Sequence, residues 1–139
     1  MASIFTKIID GELPGRFVWR DDEVVAFLTI APITHGHTLV VPVAEIDHWI
    51  DLPGPLLHRL ADVSQIVGRA IDRAFSPVKV GMMIAGLEVP HTHVHVLPIT
   101  TEADLSFRNA RPDTPAAELD AAAEAIRSAL RDLGHMPAT

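Results

Sequence analysis

The feature that most constrains the fold of this chain is one long amphipathic segment. After Pro53-Gly54-Pro55, apolar residues recur at helical spacing from Leu56 to Phe75, and Pro77 ends the pattern. This predicts a single long helix. Short segments of strand character lie on both sides of it: Phe17–Arg20, Glu23–Leu28, His37–Val41, Lys79–Ala85 and Thr92–Leu97. About five short strands with one intervening long helix predict an α+β domain with a mainly antiparallel sheet.

The two ends of the chain add one helix each. Ser3 is a typical N-cap residue and predicts a short helix over Ile4–Asp10, which the following glycine ends. Residues 101–114 are polar and predict a loop. The Thr-Pro pair that follows predicts the start of a final helix, and Gly134 predicts its end.

Length and composition limit the classes of function. The 139 residues fit one domain over residues 1–139. The formal net charge of −7 argues against general binding to nucleic acid or to anionic membranes, which both need basic patches. With no cysteine, the chain lacks thiolate metal sites and cysteine nucleophiles. Neither a signal peptide nor a membrane-spanning run is visible, so the cytoplasm is the expected location.

Three histidines alternate along one predicted strand, at His91, His93 and His95. Side chains at every second position of a strand project from the same face, so this spacing predicts a row of imidazoles. Histidine titrates nearest to physiological pH, and such a row suits nucleophilic or acid–base chemistry. A metal site and a row of structural, half-buried histidines are the alternatives.

A metal site needs ligands beyond the row itself. The outer histidines are ~13 Å apart at the rise of a strand, whereas zinc–nitrogen bonds are ~2.0–2.1 Å. Two of the three histidines could bind one ion with a further ligand, for which the candidates are Glu88, His35, His37 and His48. A structural row suits a core poorly, because three neutral imidazoles on one face each need hydrogen-bond partners. All three interpretations stay open on the residues alone.

Several motifs match a known family in order and spacing. The segment His91–Pro98 resembles the histidine-triad (HIT) signature, H-x-H-x-H followed by hydrophobic residues. Ile4–Pro14 resembles the opening segment of that family, I-F-x-K-I-I-x-x-E-I-P, and Gly36–Pro42 resembles its G-H-x-L-V-x-P strand. The match covers roughly residues 3–98, the expected core, and about residues 101–134 add a C-terminal loop and helix.

The resemblance implies a HIT-like fold and a nucleotidyl hydrolase or transferase that works through a covalent nucleotidyl-histidine. At the matching positions, His93 is the expected nucleophile, which attacks the α-phosphorus of a small nucleotide substrate. The backbone carbonyl of His91 is expected to hold the proton on the other ring nitrogen, and His95 to stabilise charge on the phosphate. No metal or other cofactor is implied. The alternative on the same fold is a non-catalytic nucleotide-binding or metal-binding module.

The resemblance also places an apolar pocket for the base along the first part of the chain. Its expected lining residues, which are equally suited to a plain core, are Phe5, Ile8, Leu13, Phe27 and Ile30. Thr29 occupies the position at which many relatives carry an acidic residue that binds the ribose. Gly86, Glu88 and Val89 stand where relatives often have a phosphate-binding Gly-Gln-Ser or Gly-Gln-Thr. Glu88 is expected to repel phosphate there unless it is protonated, turned away or bridged by a cation.

Three further expectations concern residues outside these motifs. Glu45 takes the position of a pocket histidine of the family, and His37 is interpreted as a packing residue. The strand Lys79–Ala85 is apolar at most positions, which predicts that both of its faces are covered. Together with the wide apolar stripe of Leu56–Phe75 it predicts a homodimer, since relatives use the equivalent helix and strand for a two-fold interface. The expected partners are a small nucleotide and a second copy of the chain.

Overall fold

The structure, a computed structural model, describes residues 1–138. Within that range the strands are β1 Phe17–Arg20, β2 Val24–Leu28, β3 Thr38–Pro42, β4 Lys79–Met83 and β5 Val94–Ile99. They form one antiparallel sheet in the order β1-β2-β3-β5-β4. The helices are α1 Ile4–Ile9, α2 Gly54–Phe75 and α3 Ala116–Asp132. The predicted α+β class, with its long helix and its C-terminal helix, is confirmed.

The helices begin and end close to where local signals predict. Ser3 caps α1 by accepting a hydrogen bond at Oγ from the Thr6 backbone N–H, 3.1 Å away. α2 begins within the Pro-Gly-Pro segment and ends before Ser76, whose φ of 46° is left-handed and does not continue a helix. No helix within residues 1–138 has the length and apolar character needed to cross a bilayer.

Two apolar clusters cover opposite faces of the sheet. On one face, α2 and α3 pack against alternate residues of the strands, including Val94 and Val96 of β5. On the other face, Phe5 of α1 packs with Phe27 of β2. Successive residues of a strand point to opposite faces, so His95 of β5 projects away from the long helices and towards the side of α1. The candidate site therefore lies on the face that the short helix covers.

One strand is less buried than the sequence predicts. β4 ends at Met83 rather than at Ala85, and it is an edge strand of the sheet, next to β5. Lys79 and Met82 are exposed, so the prediction that both faces are covered is wrong for the single chain. An apolar run indicates that burial is favourable, but it does not distinguish a central strand from an edge strand.

The histidine row also differs from the predicted strand. β5 begins at Val94, so His91 and His93 precede it rather than lying within it. The Thr92 backbone N–H donates to the Ile46 carbonyl, 2.8 Å away in the loop after β3. This N–H therefore bonds to the loop and not to a neighbouring strand. The predicted loop over residues 101–114 contains two short turns of 3₁₀ helix, Glu102–Leu105 and Phe107–Asn109.

Candidate active site

The ring of His93 is held in a defined tautomer by a backbone carbonyl. Its Nδ1 lies 2.7 Å from the carbonyl oxygen of His91. A carbonyl only accepts hydrogen bonds, so Nδ1 carries the proton and Nε2 of the neutral ring keeps its lone pair. Burial lowers the pKa of His93, despite the opposing effect of its bond to His91, so the ring is neutral at pH 7. An unprotonated, oriented nitrogen of this kind is suited to nucleophilic attack.

The His91 ring is hydrogen bonded at both of its nitrogens. Unlike His93 and His95, His91 does not line the smaller of the two cavities described below. Its Nε2 donates to the Pro42 carbonyl at 2.7 Å, and its Nδ1 lies 2.7 Å from the Ser3 hydroxyl oxygen. The side chain is fully buried. The imidazole thus anchors the backbone of its own residue, and the carbonyl is the part of His91 that reaches His93.

His95 is oriented by a fourth histidine, His37. The Ile33 backbone N–H donates to Nδ1 of His37, so in the neutral ring the proton of His37 sits on Nε2. That Nε2–H donates to Nδ1 of His95 at 2.9 Å. His95 must then carry its own proton on Nε2, as a hydrogen-bond donor. Burial, together with the nearby imidazoles, lowers the pKa of His37 to about 4 and that of His95 to about 3.

The interpretation of His37 as a packing residue is therefore incomplete. The ring is buried, but both of its nitrogens form hydrogen bonds, and one of these bonds sets the tautomer of His95. The arrangement follows from the pairing of β3 with β5, in which Leu39 faces His95, and this pairing cannot be predicted from the sequence pattern alone. His37 lies two residues from Leu39 and so projects from the same face of the sheet.

The Nε2 atoms of His93 and His95 point into accessible space. Among residues 1–138, every buried side-chain nitrogen and oxygen has a hydrogen-bond partner. Neither Nε2 is hydrogen bonded within the described part of the chain, so both must be accessible. Their rings meet edge to face, with centroids 4.9 Å apart. One lone pair and one N–H donor are thus available on two adjacent rings.

An apolar cavity of about 280 Å³ is lined by Phe5, whose ring contacts that of His93. The structure brings together here all six residues that were predicted for the base and ribose: Phe5, Ile8, Leu13, Phe27, Thr29 and Ile30. The rings of Phe5 and His93 meet edge to face at a centroid distance of 4.9 Å, so Phe5 joins the cavity to the candidate nucleophile. The sequence interpretation missed Arg16, which also lines the cavity and forms an ion pair with Asp120 at 2.6 Å.

A smaller cavity of about 130 Å³ lies directly against the two histidines. Gly86 and Glu88 line it together with His93 and His95, whereas Val89 packs against the apolar cluster around Phe5. Gly86 has a φ of 77°, a left-handed conformation that favours glycine. Phe107, which the sequence interpretation missed, closes the other side, with its ring 5.0 Å from that of His95. Its place in a polar segment far along the chain carries no local signal for this contact.

Of the residues named as possible further metal ligands, Glu88 and His37 lie beside the triad, whereas His35 does not. His37 is hydrogen bonded as described above, and His35 lies at the surface beside Glu118. Within the described residues, no group of three or more His, Cys, Asp or Glu side chains is placed to hold a metal ion.

Comparisons with known proteins agree with the fold and with the pattern of histidines. The family model described as HIT domain matches residues 10–102. A HIT-like protein of Borreliella burgdorferi is 40% identical over 102 residues, which cover 68% of this chain and 73% of that protein. The crystal structure of a zinc-bound histidine triad family protein from Mycobacterium smegmatis has a TM-score of 0.82 at 27% identity and covers 96% of both chains. This chain belongs to the HIT family.

Some of its relatives are enzymes that act on nucleotides. The adenosine 5'-monophosphoramidase of Saccharomyces cerevisiae is 30% identical over 98 residues, which cover 70% of this chain and 62% of the yeast protein. The family thus includes nucleotide hydrolases, on a fold that this chain shares.

Proposed function

We propose that this chain is a nucleotidyl hydrolase or transferase that removes a nucleoside monophosphate from a small phosphoramidate or polyphosphate through a covalent bond to His93. The observation that supports this most strongly is the 2.7 Å hydrogen bond from His93 Nδ1 to the His91 carbonyl. It leaves an accessible lone pair on Nε2 beside an apolar cavity of suitable size for a base.

In the proposed first step, the Nε2 lone pair of His93 forms a bond to the α-phosphorus. The bond from phosphorus to the leaving group breaks, and the leaving group departs with the electron pair of that bond. An amine leaving group takes a proton from solvent, whereas a phosphate leaves as an anion. The His93 ring becomes positively charged on attack, and the His91 carbonyl stabilises that charge through the Nδ1–H. The Nε2–H of His95 donates to a phosphate oxygen, where negative charge develops.

In the proposed second step, water attacks the phosphorus, the phosphorus–nitrogen bond breaks, and the proton that the water loses passes to solvent. The nucleoside monophosphate leaves, and the bonding electrons return to His93 Nε2 as its lone pair. If another hydroxyl or phosphate attacks in place of water, the same sequence transfers the nucleotide. The neutral state of His93, which its lowered pKa maintains, is required at the start of each cycle.

The proposal extends to the binding residues and to the assembly. Phe5 and Phe27 would hold the base, Thr29 would lie near the ribose, and Gly86 with Glu88 would border the phosphate.

We further propose that residues 1–139 act as one HIT domain, of which Thr139 lies outside the described residues. Two copies would pair through α2 and the exposed edge strand β4, and the expected location is the cytoplasm, where nucleotides are abundant.

The test is a panel of substrates. AMP and GMP phosphoramidates and dinucleoside polyphosphates are incubated with the protein, and release of nucleoside monophosphate is followed by chromatography. The expected result is release from at least one of these substrates by the wild type and none above background by His93→Ala. Tight nucleotide binding without turnover on any substrate would contradict the proposal and would support the non-catalytic nucleotide-binding alternative.

A further inference from the structure

We propose that Glu45 is a positioning residue for the nucleophile and that it acts through Ser3 and His91. This inference rests on the proposed role of His93. Three polar contacts lead from the exposed carboxylate of Glu45 through Ser3 and His91 to the buried ring of His93. Two further contacts fix Thr6 to Glu45 and the His91 ring to Pro42.

The chain of contacts starts at the acceptor of the His93 proton. That acceptor is the His91 carbonyl, and its position depends on how firmly residue 91 is held. The His91 ring donates from Nε2 to Pro42, so its Nδ1 must accept in the neutral form, and the partner there is the Ser3 hydroxyl. Pro42 belongs to β3, whereas Ser3 precedes α1. The His91 side chain is thus held between the sheet and the short helix.

Ser3 serves two partners with one hydroxyl group. Its oxygen accepts from the Thr6 backbone N–H at 3.1 Å and thereby caps α1, while its proton is donated to His91. α1 has six residues, and a helix of that length is marginal without external contacts. The position of the Ser3 hydroxyl therefore depends on what holds the start of α1.

Glu45 provides that anchor from the loop after β3. One of its oxygens, Oε1, accepts from the Ser3 backbone N–H at 2.6 Å and from the Thr6 hydroxyl at 2.7 Å. Charge-assisted hydrogen bonds are short and directional, which suits a contact that fixes a helix end. The bonds from Ser3 and Thr6 lower the pKa of Glu45, so the carboxylate remains charged at neutral pH.

The same helix forms part of the apolar cavity. Phe5 and Ile8 of α1 line it, and the Phe5 ring also contacts the rings of His91 and His93. A base that binds in the cavity would touch the element that Glu45 holds. Displacement of α1 would consequently affect the acceptor of the His93 proton more than it would affect the phosphate site.

Three variants separate positioning from general stability. Glu45→Ala removes both anchoring bonds, Thr6→Val removes one of them, and Glu45→Gln keeps an oxygen that can accept both. Asp21→Ala is the control, because Asp21 accepts four hydrogen bonds, from Trp19, Arg59 and the backbone N–H groups of Glu23 and Val24, and does not contact the triad. It reports the effect of an even larger loss of hydrogen bonds elsewhere.

The primary readout is the tautomer of His93, measured by long-range ¹H–¹⁵N NMR of the imidazole rings in each full-length variant. We expect protonation on Nδ1 in the wild type and in Glu45→Gln and Asp21→Ala. Glu45→Ala should show a mixture of the two tautomers, and Thr6→Val a smaller shift in the same direction. In turnover, Glu45→Ala should lower kcat about tenfold, and KM should rise as well, because Phe5 and Ile8 of α1 line the apolar cavity.

The proposal is overturned if His93 keeps its Nδ1 proton in Glu45→Ala, or if kcat falls no further than in Asp21→Ala at an equal loss of melting temperature. Because the tautomer is read without substrate, absence of turnover in the wild type would count against the proposed function and leave the NMR test of positioning intact.

Discussion

His37 and His95 are joined by a 2.9 Å hydrogen bond between two ring nitrogens, and its direction is set by a third group. The Ile33 backbone N–H occupies Nδ1 of His37, so His37 is the donor and His95 the acceptor. The bond thereby assigns the proton of His95 to Nε2, the nitrogen next to the candidate nucleophile. A residue outside the triad thus determines what one member of the triad can donate.

This arrangement predicts that His37→Ala lowers activity and stability together. Loss of the ring leaves the Ile33 N–H and the His95 Nδ1 without their partners, which should cost about 2 kcal/mol of the free energy of unfolding. The tautomer of His95 is then free to change, and kcat should fall at least about tenfold. Urea unfolding and steady-state kinetics check both effects. His35→Ala, at the neighbouring exposed histidine, is the control. Equal losses of kcat and of stability in the two variants would show that the hydrogen bond from His37 does not orient His95.

His93→Ala should abolish turnover, with a loss of several orders of magnitude in rate, as expected for removal of a covalent nucleophile. In the structure the ring is buried and contacts Phe5 and His95, so we expect a cost of about 2 kcal/mol as well. Single-turnover kinetics and urea unfolding, with the exposed His58→Ala as control, measure the two effects. Activity like that of the wild type would rule out the mechanism.

The buried histidines predict a loss of stability in mild acid. Below pH ~6.5 a histidine in the unfolded chain is protonated, whereas His37 and His95 in the folded chain stay neutral down to about 4 and about 3. The unfolded state therefore binds more protons, and the free energy of unfolding should fall as the pH drops from ~6.5 towards 4, by at most ~1.4 kcal/mol per pH unit for each ring. Urea unfolding at several pH values tests this, and a constant stability across this window would contradict it.

The lowered pKa of His93 makes a separate prediction for activity. A nucleophile must be unprotonated, and burial keeps this ring neutral below the usual range of histidine. The acid limb of a plot of kcat/KM against pH should therefore lie below pH ~6.5, the ordinary value. An acid limb above that value would show that burial does not determine the direction in which the pKa of His93 is shifted.

Glu88→Gln tests the departure from the phosphate-binding pattern of the family. Glu88 borders the cavity that contains His93 and His95, where its carboxylate should repel a nucleoside monophosphate. The amide removes the repulsion and offers a donor, so AMP or GMP should bind more tightly by ~1 kcal/mol. Calorimetric titration with and without Mg²⁺, with Glu102→Gln as control, measures the change. Weaker binding together with loss of a dependence on Mg²⁺ would instead indicate a cation that bridges Glu88 to phosphate.

The exposed edge strand predicts self-association. Met82 of β4 is 64% exposed and lies beside a groove that α2 also lines, an apolar surface suited to a second copy of the chain. Light scattering at micromolar concentration should give twice 15.1 kDa. Met82→Lys should reduce the mass to that of one chain, whereas Met136→Lys, at a methionine near the end of the chain, should not. A wild-type mass near 15.1 kDa would contradict the dimer.

Local signals in the sequence predict much of this fold. The N-cap Ser3, the Pro-Gly-Pro segment before α2 and the apolar runs of β1 to β3 each act through neighbouring residues. Family motifs predict six of the residues that line the apolar cavity, and the structure brings these six together.

The remaining features depend on which strands become neighbours. The edge position of β4, the hydrogen bond from His37 to His95 and the contact of Phe107 with His95 follow from the order β3-β5-β4 and from the path of the chain after β5. The contacts of Glu45 with Ser3 and Thr6 likewise join segments about forty residues apart. Helical or strand periodicity carries no information about such pairings.

The central claim is a covalent nucleotidyl-histidine on His93, and mass spectrometry of the quenched enzyme tests it most directly. The protein is mixed with an AMP phosphoramidate, quenched during turnover in denaturing alkali, in which phosphorus–nitrogen bonds to histidine persist, and analysed intact and after digestion. The account predicts an increase by one adenylyl group in the wild type, located on the peptide that contains His93, and none in His93→Ala. Release of AMP without any adduct, or an adduct that persists in His93→Ala, would contradict it.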